Sequence, residues 1–175
     1  MRRYDDERIL FESDTYDTSR PLTISRLQIG GTVIDGLEGK ILCMPPMQHY
    51  YYEQLNRKKL SDLYDRGLYD VIKARDGSIV NLYMFDNVLH MGTSHSADVT
   101  NFTWYEETMG RLFYAVLPNE FIERTGLRFV GKNLTWNMSK DLCVTVGFHN
   151  SKMHMGLQKD EAWLVSCIDR STLKE

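Results

Sequence analysis

Apolar and polar residues alternate at period two in several short stretches of this chain, the pattern of half-buried strands. The longest alternation is Leu-Thr-Ile-Ser-Arg-Leu-Gln-Ile over 22–29, which stops at the turn signal Gly30-Gly31. Shorter strands are predicted at 9–11, 32–34 and 40–44; Asp35-Gly36 separates the last two and Pro45-Pro46 closes the region. Between 69 and 91 the pattern predicts a three-stranded antiparallel meander, with strands at 69–73, 79–85 and 88–91 and turns at Arg75-Asp76-Gly77 and Asp86-Asn87. Strands return at 135–138, 142–148 and 162–168.

Helical spacing replaces alternation in two places. Aromatics and leucines over 47–55 and 60–64 predict short helices ending at Gly67 as a C-cap. Met109, Leu112, Phe113, Val116 and Leu117 predict a helix over 104–117, interrupted by Pro118 and followed by a second over 120–124 that Gly126 closes. Strands, then a helix pair, then strands again predict an α+β fold with antiparallel sheets. At 175 residues the chain is of single-domain size, so 1–175 is read as one unit.

Composition narrows the class. Hydrophobic residues make up 42% and aromatics 11%, which excludes bulk disorder. The longest apolar run, 112–117, is far short of the roughly 20 residues that a membrane-spanning helix needs, and the charged start Met1-Arg-Arg-Tyr is not followed by a signal-like apolar segment. A cytoplasmic protein without a membrane partner is the expectation. The net charge of -3 gives no sign of a basic nucleic-acid face. Cys43, Cys143 and Cys167 are odd in number, far apart in sequence and set in apolar runs, the pattern of buried reduced thiols.

Read alone, Asp76-Gly77-Ser78 is a hairpin turn, but it lies in a wider context. Lys40-Ile-Leu-Cys-Met-Pro-Pro-Met-Gln-His-Tyr-Tyr-Tyr52 precedes it, Tyr69-Asp-Val-Ile-Lys-Ala-Arg-Asp-Gly-Ser-Ile-Val-Asn-Leu-Tyr83 contains it, and Asn133-Leu-Thr-Trp-Asn-Met138 follows. In order and spacing these three segments resemble the nucleotidyltransferase domain of the phage tRNA-repair RNA ligases, over roughly residues 25–170. That family has an aromatic pair after Pro-Met, a K-x-D-G-S motif, and an Asn-aromatic-Glu strand. The resemblance implies an ATP-grasp-like fold in which a lysine takes AMP from ATP with magnesium and passes it to an RNA 5′-phosphate.

The chain departs from that pattern at four points. Aligned without a gap on D-G-S, the nucleophile position holds Ala74, while Lys73 one place earlier faces the other side of a strand unless a bulge intervenes. Ser139 stands at the glutamate position, Leu89-His-Met-Gly-Thr-Ser-His-Ser96 lacks the family's lysines, and the E-G-x-V and K-x-K segments are expected beyond Glu175. These departures imply an inactive RNA-ligase-like binding module for a nucleotide, an RNA end or a host protein, in the cytoplasm of an infected cell if phage-encoded. No catalytic residue and no cofactor is expected. Ligand contacts are expected at Arg75, Asp76, Gly77, Ser78 and His90. The alternative is a minimal or split adenylyltransferase using Lys73 and Asp76 with ATP and magnesium. A third reading fills the old cleft with Met91, Met138 and aromatics and leaves partner docking.

Other features have plainer readings. His49, His90, His95, His149 and His154 show no metal-binding spacing, so no metal is expected. Tyr50-Tyr51-Tyr52 and Arg57-Lys58-Lys59 could contact bases and phosphates, but read first as core and solvated helix entry, and Asp62, Asp65 and Asp70 as a polar face.

Overall fold

The computed structural model describes residues 1–12, 30–46, 61, 64–67, 75, 77–153 and 159–174. Strands β1 (Arg2–Arg3), β2 (Arg8–Phe11), β3 (Thr32–Asp35) and β4 (Ile41–Cys43) form a small antiparallel sheet in chain order. The large sheet is built from β5 (Ser78–Phe85), β6 (Val88–Gly92), β9 (Arg128–Val130), β10 (Asn133–Thr135), β11 (Leu142–His149) and β12 (Glu161–Asp169), in the order β12-β11-β5-β6-β10-β9. Strands β7 (Thr103–Trp104) and β8 (Glu107–Thr108) form a separate hairpin, followed by helices α1 (Met109–Tyr114) and α2 (Asn119–Thr125). The fold is α+β with antiparallel sheets, as the pattern predicts.

Strand β5 organises the molecule because both of its faces are covered. Val80 and Leu82 join Leu89, Met91, Val144, Val146, Phe148 and Phe113 of α1 in one core. Tyr83 points the other way into a second core with Leu10, Val33, Leu42, Cys43, Ala97 and Cys143. Alternation on a strand buried on both faces explains why 79–85 reads as an almost continuous apolar run. The turn after β5 has positive φ at both Asp86 (48°) and Asn87 (59°), the type I′ geometry that Asp and Asn tolerate.

Several expectations are corrected. The edge of β5 that a meander would give to 69–73 is occupied from Ser78 to Tyr83 by β11, and 69–73 itself lies outside the described residues. The helix expected over 104–117 begins only at Met109. Before it, Trp104 and Glu107 pair across a tight hairpin with Tyr105 at φ 55°, and the Thr108 hydroxyl accepts from the Arg111 N–H to cap the helix. After Tyr114 the chain tightens, with Val116 donating to Phe113 and Leu117 to Tyr114, so the apolar spacing continues without α-helical bonds. Strand β10 ends at Thr135, earlier than expected, because Trp136 turns into the core and Asn137 N–H donates to Thr125 at the end of α2. Strands 22–29 and the helix at 47–55 lie outside the described residues; Ser61, Tyr64 and Asp65 are helical, and Gly67 donates to Tyr64 at φ 64°.

Candidate functional site

The start of β5 meets the end of β11 and the start of β12, an arrangement fixed by strand register. Ser78 pairs with Phe148, Trp163 with Gly147, and Glu161 with His149. Gly77 has no room for a side chain, since a Cβ there would stand 2.5 Å from the Phe148 carbonyl oxygen and 2.8 Å from the Trp163 ring. Gly147 is tighter still: its Cβ would lie 2.2 Å from the indole. The ring therefore lies flat on strand backbone made bare by two glycines. Over it sits Arg75, with its guanidinium 5.4 Å from the ring centroid and 3.8 Å from the Glu161 carboxylate. Both charged side chains are about half exposed, 51% and 47%, so the pair is held weakly.

Of the predicted ligand contacts, Arg75, Gly77 and Ser78 are therefore together. Asp76, Lys73 and Ala74 lie outside the described residues. His90 is not brought to this end: it pairs with Tyr83, five residues along β5 from Ser78, or about 16 Å at roughly 3.3 Å per residue. Ser139 is farther away, in the turn before β11, where its hydroxyl accepts from the Asp141 N–H. Met91 and Met138 pack in the helix-side core, so the side chain covering the sheet beside Gly77 is Trp163. Glu161 and Trp163 were missed by sequence reasoning. Their only signal is that they alternate at the start of a strand; Glu161 lies 86 positions from Arg75 and Trp163 lies 88.

His90 belongs to a different polar network. Its Nδ1 is 2.6 Å from the Asp98 carboxylate, to which it donates, and its ring stacks on Tyr83 at 5.7 Å. Burial raises the Asp98 pKa, but hydrogen bonds from His90 and from the Thr100 N–H outweigh it and hold this carboxyl below the ordinary aspartate value. The Tyr83 hydroxyl donates to the Ala97 carbonyl at 2.5 Å and accepts from Arg8 at 3.0 Å, while Arg8 is also held by Asp6. Burial pushes the Tyr83 phenol well above its ordinary pKa, so it stays protonated and donating. This network joins the two sheets through Arg8 and Tyr83.

At the far end of β5 a cleft of about 680 Å³ opens beside Lys40, Met84, Asp86, Lys140, Asp141 and Arg170. Arg170 is committed there to structure, donating to the Leu42, Met84 and Lys140 carbonyls. Among the described residues no three His, Cys, Asp or Glu side chains gather as a metal set, and no helix is long and apolar enough to cross a membrane.

These features define an antiparallel α+β domain with an exposed arginine beside a glycine-bared strand start. The chain is 25% identical over 157 residues to a protein named "Putative RNA-ligase" in a Malawi tick isolate of African swine fever virus, covering 82% of this chain and 34% of that protein. It is 26% identical over 156 residues to a protein of the same name in a Kenyan pig isolate, with the same shares covered. The chain thus spans about a third of the length of the curated relatives it matches. No family profile and no solved structure matches.

Proposed function

We propose that this chain is an RNA-ligase-like domain that binds a nucleotide or an RNA 5′ end beside Arg75 without forming a covalent adenylate. The observation that carries the reading is Arg75 itself: a half-exposed guanidinium held, among the described residues, by an exposed glutamate and an aromatic face, two residues before the glycine that lets β5 lie against β11. A guanidinium offers a phosphate paired donors, and phosphate competes well for it because the Glu161 contact is long and solvated. Glu161-Ala-Trp-Leu164 adds support, since it has the glutamate, small residue and aliphatic residue of the E-G-x-V segment that the resemblance puts in the same site.

Adenylylation needs a lysine at the α-phosphate, and Ala74 stands at that position in the ungapped alignment. The described residues around Arg75 supply one carboxylate, Glu161, which faces a cation; they do not make a magnesium set. The second reading, a split adenylyltransferase using Lys73 with ATP and magnesium, rests on a bulge turning that lysine inward. A viral source follows the source of the relatives, and a host protein partner remains the reading to test if neither nucleotide nor RNA binds.

Fluorescence anisotropy of the full chain with a 5′-phosphorylated RNA oligonucleotide tests the proposal. Binding in the micromolar range that weakens about tenfold in Arg75→Ala, and weakens similarly when the RNA ends in a 5′-hydroxyl, supports it. Equal affinity for both RNA ends, or no change in Arg75→Ala, overturns it.

A further inference from the structure

Two of the three cysteines meet where the sheets pack. Cys43 ends β4 of the small sheet and Cys143 lies near the start of β11 in the large one, 100 positions apart. Their sulfurs stand 3.4 Å apart, one thiol donating to the other, and the side chains are 0% and 1% exposed in the core built round Tyr83. Cys167 is a free thiol on β12, one position out of register, paired with Val144.

We infer that Cys43 and Cys143 form an oxidation site at which a small hydroperoxide closes a disulfide between the two sheets. A disulfide needs sulfurs about 2.05 Å apart, so closure draws together two sulfurs that already stand 3.4 Å apart. The first attack is assigned to Cys143, whose thiol the Cys43 hydrogen bond holds below its ordinary pKa, whereas burial pushes Cys43 up. Its sulfur attacks one peroxide oxygen, the O–O bond breaks, and a sulfenic acid and one water or alcohol form. The Cys43 sulfur then attacks the sulfenic sulfur, the S–O bond breaks, and the Cys43 proton leaves with the hydroxyl as water. Two thiols are oxidised and one hydroperoxide is reduced. The product ties together two sheets otherwise joined by side-chain contacts such as Arg8 to Tyr83 and Arg170 to the Leu42 carbonyl.

The native full chain is treated with hydrogen peroxide, quenched, and alkylated under denaturing conditions. The expected result is a protein lighter by about 2 Da before alkylation, with one thiol left to alkylate and a digest containing the peptides of Cys43 and Cys143 linked. The linked species should melt several degrees higher than the reduced one. Cys167→Ser should behave like the parent, and Cys143→Ser should form no linked peptide; Cys43→Ser, which keeps the attacking thiol, should stop at the sulfenic acid, trapped by dimedone on Cys143. Three alkylated thiols after peroxide, a disulfide that includes Cys167, or a link that forms only after denaturation would each overturn the inference.

Discussion

At the scale of single residues, two glycines and a tryptophan decide what the start of β5 presents to solvent. Trp163 lies on Gly147 because nothing projects there, and Arg75 is placed by that indole. Gly147→Ala puts a methyl group where the ring lies, so we expect a loss of about 1–3 kcal/mol in urea unfolding and a red-shifted tryptophan emission as the indole lifts. An unchanged midpoint would mean that the ring is not seated as described. Asp98 gives a second residue-level outcome. Its folded pKa lies below the ordinary value of about 3.9, so the stability it contributes is complete above roughly pH 5 and is lost as pH falls through the folded value. Asp98→Asn should therefore be less stable than the parent at pH 7, and the gap should narrow steadily below pH 4. Denaturant midpoints measured from pH 7 to pH 3 check the slope. The Asp86-Asn87 turn was legible in the sequence at this scale, whereas Glu161 was not, because a contact with Arg75 across 86 positions leaves no local trace.

At the scale of elements, the readable parts are those whose ends carry their own chemistry. Helix α2 ends at Gly126 with φ 63°, a left-handed cap that the sequence marks with glycine, and Asp86-Asn87 marks the β5 to β6 turn in the same way. A Cβ at Gly126 would also stand 2.4 Å from the Asn137 amide, so Gly126→Ala should cost about 1–2 kcal/mol, measured by thermal or urea unfolding. The helix expected from 104 was misread because apolar spacing fixes which face is buried but not where hydrogen bonding begins. Tyr105 in a left-handed turn and Thr108 as the cap set that start. The hairpin of β9 and β10 went unread for a related reason, since three-residue strands are too short to show a period.

At the scale of the molecule, sheet order was the hidden quantity. Local turns suggest that β5 pairs with its predecessor in sequence, yet its two neighbours are β6 and β11, and the small sheet covers its other face. The join between the sheets depends on Tyr83, whose hydroxyl satisfies both Arg8 and the Ala97 carbonyl. Tyr83→Phe leaves both groups buried without that partner, so a loss of about 1–3 kcal/mol is expected, with the folded spectrum retained. The same layered arrangement leaves the β5, β11 and β12 corner facing out with Arg75 and Glu161 half exposed, which is why the proposed binding site is placed there.

The central claim is that this site binds without transferring AMP. The direct measurement is incubation of the full chain with α-phosphate-labelled ATP and magnesium, followed by denaturation and gel separation. The account predicts no label on the protein. A covalent adenylate that disappears in Lys73→Ala would contradict it and establish the adenylyltransferase reading in its place.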